Sequence, residues 1–400
     1  GNSFSIANEN LFLDIAGPQV MTGNIFNAGN SFVVLENSGS KLSKLVLTGS
    51  GTLGVMGALP NSVRSVDGSS LTANLLLTLG TGGTNFQGGT ASNTITVSGG
   101  TNVGTTQSGQ DSITVSNGEN TLDTGSGQDT INISGGDNTV TTGNDNDTLT
   151  VSGGSNTVTT ENGEDSVNIS GGTNIIDSGS SNDTLTVSGG INSLASGDGD
   201  DTFTLSAGIS TVNAGDGNDT ITASGGASNV DIRSLDGGSG VDELRIISTG
   251  NVTLPTATNI ESFFISDTVH QSLDFSFSTS LNGIELDSGT TIDNSTITLT
   301  LGAGQALTLD GITDGDTSAA SLADGGISIA QAASLTSLDL TLDDVGPSTS
   351  IANENVFIDI AGIGVTTATV TSGNDSFVVI SNTGGNLTGI ELLGTGTIAI

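Results

Sequence analysis

Short alternations of apolar and polar residues, separated by glycine turns, run along most of this 400-residue chain. In residues 125–142, Ile131 and Ile133 alternate with polar residues, and Val140 lies in a second alternating run after another glycine turn. A period of two is typical of strands, with apolar side chains on one face and polar ones, such as Thr130, on the other. The pattern predicts two short strands and two turns, with the apolar residues facing inward.

This two-strand pattern recurs every 18 residues from Ser92 to about Thr222. One such coil cannot bury its apolar face alone, so we expect the coils to stack, with equivalent strands ~4.8 Å apart. The predicted fold is all-β, a parallel β-roll or β-solenoid with 18-residue coils, flanked by further β-rich solenoid or sandwich segments. Only residues 318–335 have apolar spacing compatible with a helix.

Each 18-residue unit also carries one aspartate after a glycine turn, and Asn93 occupies the first of these positions. Stacking would bring these carboxylates into one column, where like charges repel strongly. Either the carboxylates keep their protons or a cation lies between successive turns. Calcium fits best, because it takes six to eight oxygen ligands and turn carbonyls can supply the remainder. A simpler alternative is that each aspartate only caps its turn. The predicted metal ligands, with Asp242 added from a similar motif, are Asp111, Asp129, Asp147, Asp165, Asp183, Asp201, Asp219 and Asp242.

The opposite side of each coil carries an asparagine at the same 18-residue spacing. A side-chain amide is uncharged and both donates and accepts, so a stacked column can form hydrogen bonds along its length. We expect this column to need little or no metal. Its members are Asn102, Asn120, Asn138, Asn156, Asn174 and Asn192.

The glycine-aspartate turns resemble the calcium-binding nonapeptide of RTX proteins, G-G-x-G-x-D-x-U-x, where U is a large apolar residue. "GGSGVDELR" at residues 237–245 matches every fixed position, and "AGDGNDTIT" at 214–222 and "SGDGDDTFT" at 196–204 match all but the first glycine. The resemblance implies a parallel β-roll with Ca²⁺ held between turns by aspartate carboxylates and turn carbonyls. It also implies secretion, as in bacterial surface-layer proteins and large secreted adhesins. The asparagine half-repeat departs from the family pattern.

A longer repeat brackets the chain. "SIANENLFLDIAG" at residues 5–17 recurs as "SIANENVFIDIAG" at 350–362, and Phe32 aligns with Phe377 at the same offset of 345. The chain therefore resembles one 345-residue unit and the start of the next. The predicted segments are 1–58 (first copy of the terminal repeat), 59–91 (join into the solenoid), 92–250 (β-roll), 251–345 (irregular β-rich domain) and 346–400 (second copy), with a boundary at residues 346–350.

Composition narrows the function. Asp and Glu total 42 against 5 Lys and Arg, a net charge of −37, which repels nucleic acid. No apolar run reaches the ~18 residues of a membrane span. With no Cys, a single His270 and no G-x-S-x-G or H-E-x-x-H motif, the sequence predicts no enzyme activity and no catalytic residues.

The sequence thus predicts a calcium-stiffened structural protein of a bacterial cell surface, namely a surface-layer lattice, a filament or a giant adhesin repeat. The expected partners are neighbouring copies of itself, and cell-surface polysaccharide is a second candidate. Alternatives are an adhesin region that binds glycan or ice through outward Thr columns such as Thr130 and Thr148, and a fragment of an RTX-bearing secreted enzyme or toxin.

Overall fold

The structure is a computed structural model that forms two compact units, Gly1–Asp198 and Gly199–Ile400, which are described in turn. His270 and the predicted boundary at residues 346–350 lie outside the described residues. The described residues are 2–6, 10–17, 19–225, 230–247, 252–253, 257–265, 272–274, 283–286, 291–292, 296–301, 306–310, 313–314, 326–331, 337–343, 356–361, 364–372, 376–395 and 398–399.

The first unit is a parallel β-solenoid in which successive strands alternate between two sheets. The first sheet consists of Asn2–Ile6, Thr22–Asn27, Lys44–Gly49, Ser65–Leu71, Asn85–Gln87, Thr101–Thr105, Glu119–Asp123, Asp137–Thr141, Ser155–Thr159, Thr173–Asp177 and Ile191–Asp198. The second sheet consists of Asn10–Asp14, Ser31–Glu36, Leu53–Ala58, Leu75–Leu79, Thr94–Val97, Ser112–Val115, Thr130–Ile133, Thr148–Val151, Ser166–Ile169 and Thr184–Val187. Each strand pairs in parallel with its equivalent in the next coil, as the repeat predicts.

The coils are longer at the amino-terminal end of this unit than in the 18-residue repeat. Asn10 pairs with Phe32, 22 residues on, whereas Thr94 pairs with Ser112 and Thr130 with Thr148 at the predicted spacing of 18. The amino-terminal segment is therefore also solenoid, made of longer coils. In this unit the solenoid alternative is correct and the sandwich alternative is wrong.

The interior of each 18-residue coil is narrow. Ile131 and Ile133 from the second sheet and Val140 from the first are buried, while Thr130 and Asn132 point outward, as the alternation predicts. Three aliphatic side chains supply a small apolar core in this coil. The remaining interior positions are polar, and they form the columns described below.

The second unit is also built from parallel strands. One sheet contains Gly208–Asp216, Val230–Ser239, Val252–Thr253 and Ala257–Thr258. A second contains Thr202–Leu205, Thr220–Ala223, Glu243–Ile246, Ser262–Ile265, Gly283–Leu286, Ala306–Asp310, Ser337–Asp343, Thr367–Ser372 and Gly389–Gly394. A third contains Ser272–Asp274, Thr296–Leu301, Gly326–Gln331, Val356–Ile360, Ser376–Ser381 and Ile398–Ala399, and Thr291–Ile292 pairs with Thr313–Asp314.

No helix occurs in the described ranges, and the helix-compatible segment 318–335 contains the strand Gly326–Gln331 instead. Ile327 and Ile329 of that strand are buried, and their spacing of two satisfies the strand period. The described residues form no helix that is long and apolar enough to span a membrane.

The turns that precede the aspartates require left-handed backbone conformations. Most such positions are glycine, but four non-glycine residues also have positive φ: Gln107 (71°), Asp145 (79°), Glu161 (69°) and Ser181 (86°). Each of these four stands where the nonapeptide pattern has glycine. The stacking therefore imposes the turn conformation even where the side chain disfavours it.

Gly143→Ala is expected to lower the free energy of unfolding by at least ~2 kcal/mol, because a side chain at positive φ is strained. A Cβ at Gly143, where φ is 102°, would also collide with the Gly125 carbonyl oxygen of the neighbouring coil. Urea denaturation measures the loss. Gly99→Ala is the control, because its Cβ would make only ordinary contacts, the nearest at 3.7 Å from Thr81. Equal stability of the two variants would contradict the analysis of this turn.

Candidate metal centre

The aspartates of the repeat lie inside the coils. In the first unit each is at most 2% exposed and lies directly before a strand of the second sheet. The structure stacks Asp111, Asp129, Asp147, Asp165 and Asp183 as predicted. The name aspartate column is used for these five residues and, separately, for Asp201, Asp219 and Asp242 of the second unit.

One oxygen of each carboxylate is used by the neighbouring coil. The Asp111 amide donates to Oδ1 of Asp129 at 2.7 Å, and the Asp129 amide donates to Oδ1 of Asp147 at 2.8 Å. The same bond links Asp147 to Asp165 and Asp165 to Asp183, both at 2.7 Å. These bonds run between coils and not within one turn, so simple turn capping does not describe the role of these aspartates.

The second carboxylate oxygen is buried and makes no hydrogen bond at six of these aspartates. This is a costly arrangement, because an oxygen removed from water normally finds a partner. Unpaired, buried carboxylate oxygens that recur at one position of the coil are the arrangement expected of cation ligands. The atoms are Oδ2 of Asp111, Asp129, Asp147, Asp165, Asp219 and Asp242.

The pKa values respond to this burial. Desolvation raises the pKa of Asp129 to about 7, against the opposing effects of the Thr124 hydroxyl and the Asp111 amide. Desolvation likewise raises the pKa of Asp147 to about 6, and the neighbouring charge of Asp165 adds to the shift. Without a cation Asp129 therefore retains its proton close to neutral pH, which was the other alternative drawn from the sequence.

The second unit has an arrangement of the same kind, made of three aspartates. The Asp201 amide donates to Oδ1 of Asp219, and the Asp219 amide donates to Oδ1 of Asp242, both at 2.8 Å. Burial is again the main cause that raises the pKa of Asp219, to about 7. The Asp242 amide then donates to Oε2 of Glu261 at 2.9 Å.

Glu261 is a site residue that the sequence analysis missed. Its carboxylate stands where the next aspartate of the column would be, although it lies 19 residues after Asp242 and in a segment without glycine turns. The pairing of Glu243 with Ser262 keeps the strands that follow these two residues in register. The signal in the sequence was an acidic residue directly before a strand, "ESFFI".

A column of hydroxyl side chains lies beside the aspartates and was also missed. Thr124 is fully buried, five residues before Asp129, and its Oγ1 donates to the Thr142 carbonyl of the next coil at 2.8 Å. In the sequence, Thr at this position is a departure from the nonapeptide pattern, which has its first glycine there. The bonds make it a regular internal column, whose buried members are Thr106, Thr124, Thr142, Thr160, Ser178 and Ser196.

The asparagine column forms the predicted ladder. Each Nδ2 donates to Oδ1 of the asparagine in the next coil at 2.6–2.8 Å, from Asn102 through Asn192. The second hydrogen of each amide reaches a turn carbonyl, for example Asn138 to Gly135 at 3.1 Å. These amides satisfy one another without leaving a charge to neutralise.

The aspartate column has the oxygen donors that calcium requires. In the described ranges no three His, Cys, Asp or Glu side chains converge on one point. A cation there would therefore draw on two successive carboxylates and on main-chain carbonyls of the turns. Turn carbonyls of neighbouring coils lie close to one another: the Gly125 carbonyl oxygen occupies the place where a Cβ of Gly143 would be. Hard oxygen donors in a flexible ring suit Ca²⁺ better than the strict octahedron of Mg²⁺.

Comparison with known families agrees with this geometry. The model described as "RTX calcium-binding nonapeptide repeat (4 copies)" matches residues 98–131, 105–140, 133–167, 141–176, 168–203, 177–212 and 196–229. The matched stretches end before the motif at 237–245, although Asp242 continues the column. No curated protein and no solved structure matches the chain. With its parallel coils and stacked aspartates, the segment 98–229 of this chain is an RTX-type β-roll.

Proposed function

We propose that this protein is a non-enzymatic structural protein of a bacterial cell surface, rigidified by Ca²⁺ between the coils of its aspartate column. The observation that carries the proposal is the series of buried, unpaired Oδ2 atoms. Bound calcium would supply the positive charge that makes successive carboxylates compatible. The ligands would be the eight aspartates predicted from the sequence, from Asp111 to Asp242, with turn carbonyls completing the shell.

A structural role also fits the chemistry available in the chain. RTX β-roll domains are generally structural modules without catalysis. The alternative of a fragment from a secreted enzyme or toxin requires a catalytic group, and the sequence offers one His and no Cys. Proteins with these repeats are typically secreted. The strongly acidic, Cys-free composition supports an extracellular location at the bacterial surface.

An exposed apolar stripe supports assembly with neighbouring copies. Phe12, Val34 and Met56 pair in register on the outer face of the second sheet, and Phe12 is 61% and Met56 53% exposed. Exposed apolar patches on otherwise polar surfaces are typical of interaction sites. The sequence repeats the first two of these residues as Phe357 and Val379. Contacts between neighbouring copies of the protein through this stripe would produce a fibre or lattice.

A second candidate function is an adhesin surface that binds an external ligand such as glycan or ice, and cell-surface polysaccharide is one such partner. The observation that favours it is a pair of polar columns on the outer face of the second sheet, in strict register. The first column is Thr94, Ser112, Thr130, Thr148, Ser166 and Thr184, and the second is Thr96, Thr114, Asn132, Thr150, Asn168 and Thr186. The mixture of Thr, Ser and Asn makes this face less uniform than the interior columns, which favours the structural role.

Asp165→Ala should lower the calcium-dependent gain in melting temperature, because it removes a ligand from two adjacent intervals of the column. A site filled at ~100 times its Kd adds about 2.7 kcal/mol of stability, so a loss of this order is expected for each site. Melting with and without chelator, together with calcium titration calorimetry, measures the effect. Asp137→Ala is the matched control, since it removes the same charge from an exposed strand position. Wild-type melting that does not respond to chelator would refute the proposal.

The metal-free protein should lose stability as the pH rises from about 4 to about 8. The folded-state pKa values of Asp129, Asp147 and Asp219 lie at about 6 to 7, above the usual 3.8, so the folded state binds these protons more tightly than the unfolded chain. Stability is therefore fully present below the usual pKa and is lost as the pH rises through the raised values. Thermal melts of the metal-stripped protein test this. The Asp129→Asn, Asp147→Asn double variant should show a smaller loss, and equal slopes would contradict the assignment.

A chain of two or more 345-residue units should form a rigid rod in saturating calcium, with a length proportional to the number of units. Small-angle scattering measures this length. A flexible string of beads would mean that the repeat is only a spacer.

Variants of the apolar stripe test whether it mediates association between copies of the protein. A Phe12→Ser, Met56→Ser variant should fold normally and lose side-by-side association at high concentration, as measured by light scattering. Val103→Ser, at a 49% exposed position of the first sheet, should associate like the wild type.

A further inference from the structure

Asn93 stands at the head of the aspartate column, 18 residues before Asp111, and is only 1% exposed. Its main-chain amide donates to Oδ1 of Asp111, as the amides of Asp111, Asp129, Asp147 and Asp165 do to the aspartate of the next coil. Asn93 therefore occupies a true column position, with an amide in place of a carboxylate.

The side-chain nitrogen of Asn93 is enclosed by oxygens. Four acceptors lie within hydrogen-bonding distance of Nδ2: the Ala91 carbonyl at 2.6 Å, Oδ1 of Asp111 at 2.9 Å, the Gly89 carbonyl at 3.1 Å and the Thr106 carbonyl at 3.3 Å. An amide has only two hydrogens to share among them. Three main-chain carbonyls and one carboxylate around a single point form a cage suited to a cation, and here a partially positive nitrogen fills it.

The 18-residue register transfers this cage to the next interval. The counterparts of the four acceptors are the carbonyls of Gly109, Gln107 and Thr124 and the carboxylate of Asp129. At the position that corresponds to Asn93 Nδ2 stands a carboxylate oxygen of Asp111, and Oδ2 of this residue has no hydrogen-bond partner. Where the first interval has a side-chain N–H donor, the next interval has a carboxylate oxygen at the same position, and this oxygen calls for a separate positive charge.

We propose that the Asn93 amide is a built-in substitute for a cation, which closes the first interval without metal and fixes where the calcium column begins. The inference rests on the proposed function, in which calcium lies between the aspartate coils. It also predicts that the coils before Asn93 do not depend on calcium. In these coils Nδ2 of the buried Asn27 also donates to main-chain carbonyls, those of Gly51 and Thr52 at 2.8 and 2.9 Å, although no carboxylate is involved and its Oδ1 has no hydrogen-bond partner.

Asn93→Asp should convert the first interval into a metal site. The variant places a second carboxylate opposite Asp111, so it should bind one more calcium ion per chain than the wild type and melt at a lower temperature in chelator. Calcium alone is the probe, counted by equilibrium dialysis and elemental analysis. Saturating calcium should restore the melting temperature, because the ion fills the cage. A variant that fails to fold even in calcium would contradict the inference.

The reciprocal change tests the same idea inside the column. Asp129→Asn should bind one calcium ion fewer and melt higher than the wild type in chelator, since its amide replaces the missing charge. Asp137→Asn, at an exposed position, is the control and should change neither quantity. If the wild type binds calcium and both column variants bind the same number, the inference for Asn93 is wrong and the proposed function stands. If no form binds calcium, the proposed function is wrong and the inference falls with it.

Discussion

In-register stacking of equal coils is the constraint on which the rest of this structure depends. Equivalent strands of successive coils lie ~4.8 Å apart, so every side chain has its own counterpart as its nearest neighbour. Each interior position must therefore hold a residue type that can tolerate a column of itself. Aliphatic residues do so by packing, asparagines by amide-to-amide hydrogen bonds, and threonines by donating to the carbonyl of the next coil. Only the aspartates cannot be stacked without a further charge or proton.

The aspartate is the one interior residue of the coil that cannot stack on its own counterpart without a neutralising charge or a proton. Each interior holds few aliphatic side chains, so the apolar core alone contributes little in each coil. In the proposed function, calcium between the coils would add a stabilisation that is absent while the buried carboxylates carry their charge without a cation. Folding of these coils would then depend on the calcium concentration of the surrounding solution. The amide of Asn93 shows the other solution to the same problem, in which the neutralising group is part of the chain.

Much of this organisation can be predicted from the sequence, because residues that stack in one column recur at a fixed spacing along the chain. The inward positions of Ile131 and Val140, the aspartate column and the asparagine ladder are direct consequences of the 18-residue spacing. Glu261 was missed because the coils around it are longer than 18 residues, so it does not fall at the repeat spacing although its strand stays in register. The hydroxyl column was missed because Thr and Ser stand where the nonapeptide has glycine. The strand at Gly326–Gln331 was obscured by small residues whose spacing suits either period.

The identity of neighbours along each column also restricts how this chain can change length. Deletion or duplication of one complete coil brings each residue against an equivalent partner, so the amide ladder and the carboxylate cages close again. Insertion of a single residue instead exchanges the inward and outward faces of the following strand and places unlike groups opposite each other in all the interior columns. Mutations that add or remove complete coils should therefore be tolerated. Related proteins are expected to differ in the number of coils, while the number of residues in each coil stays the same.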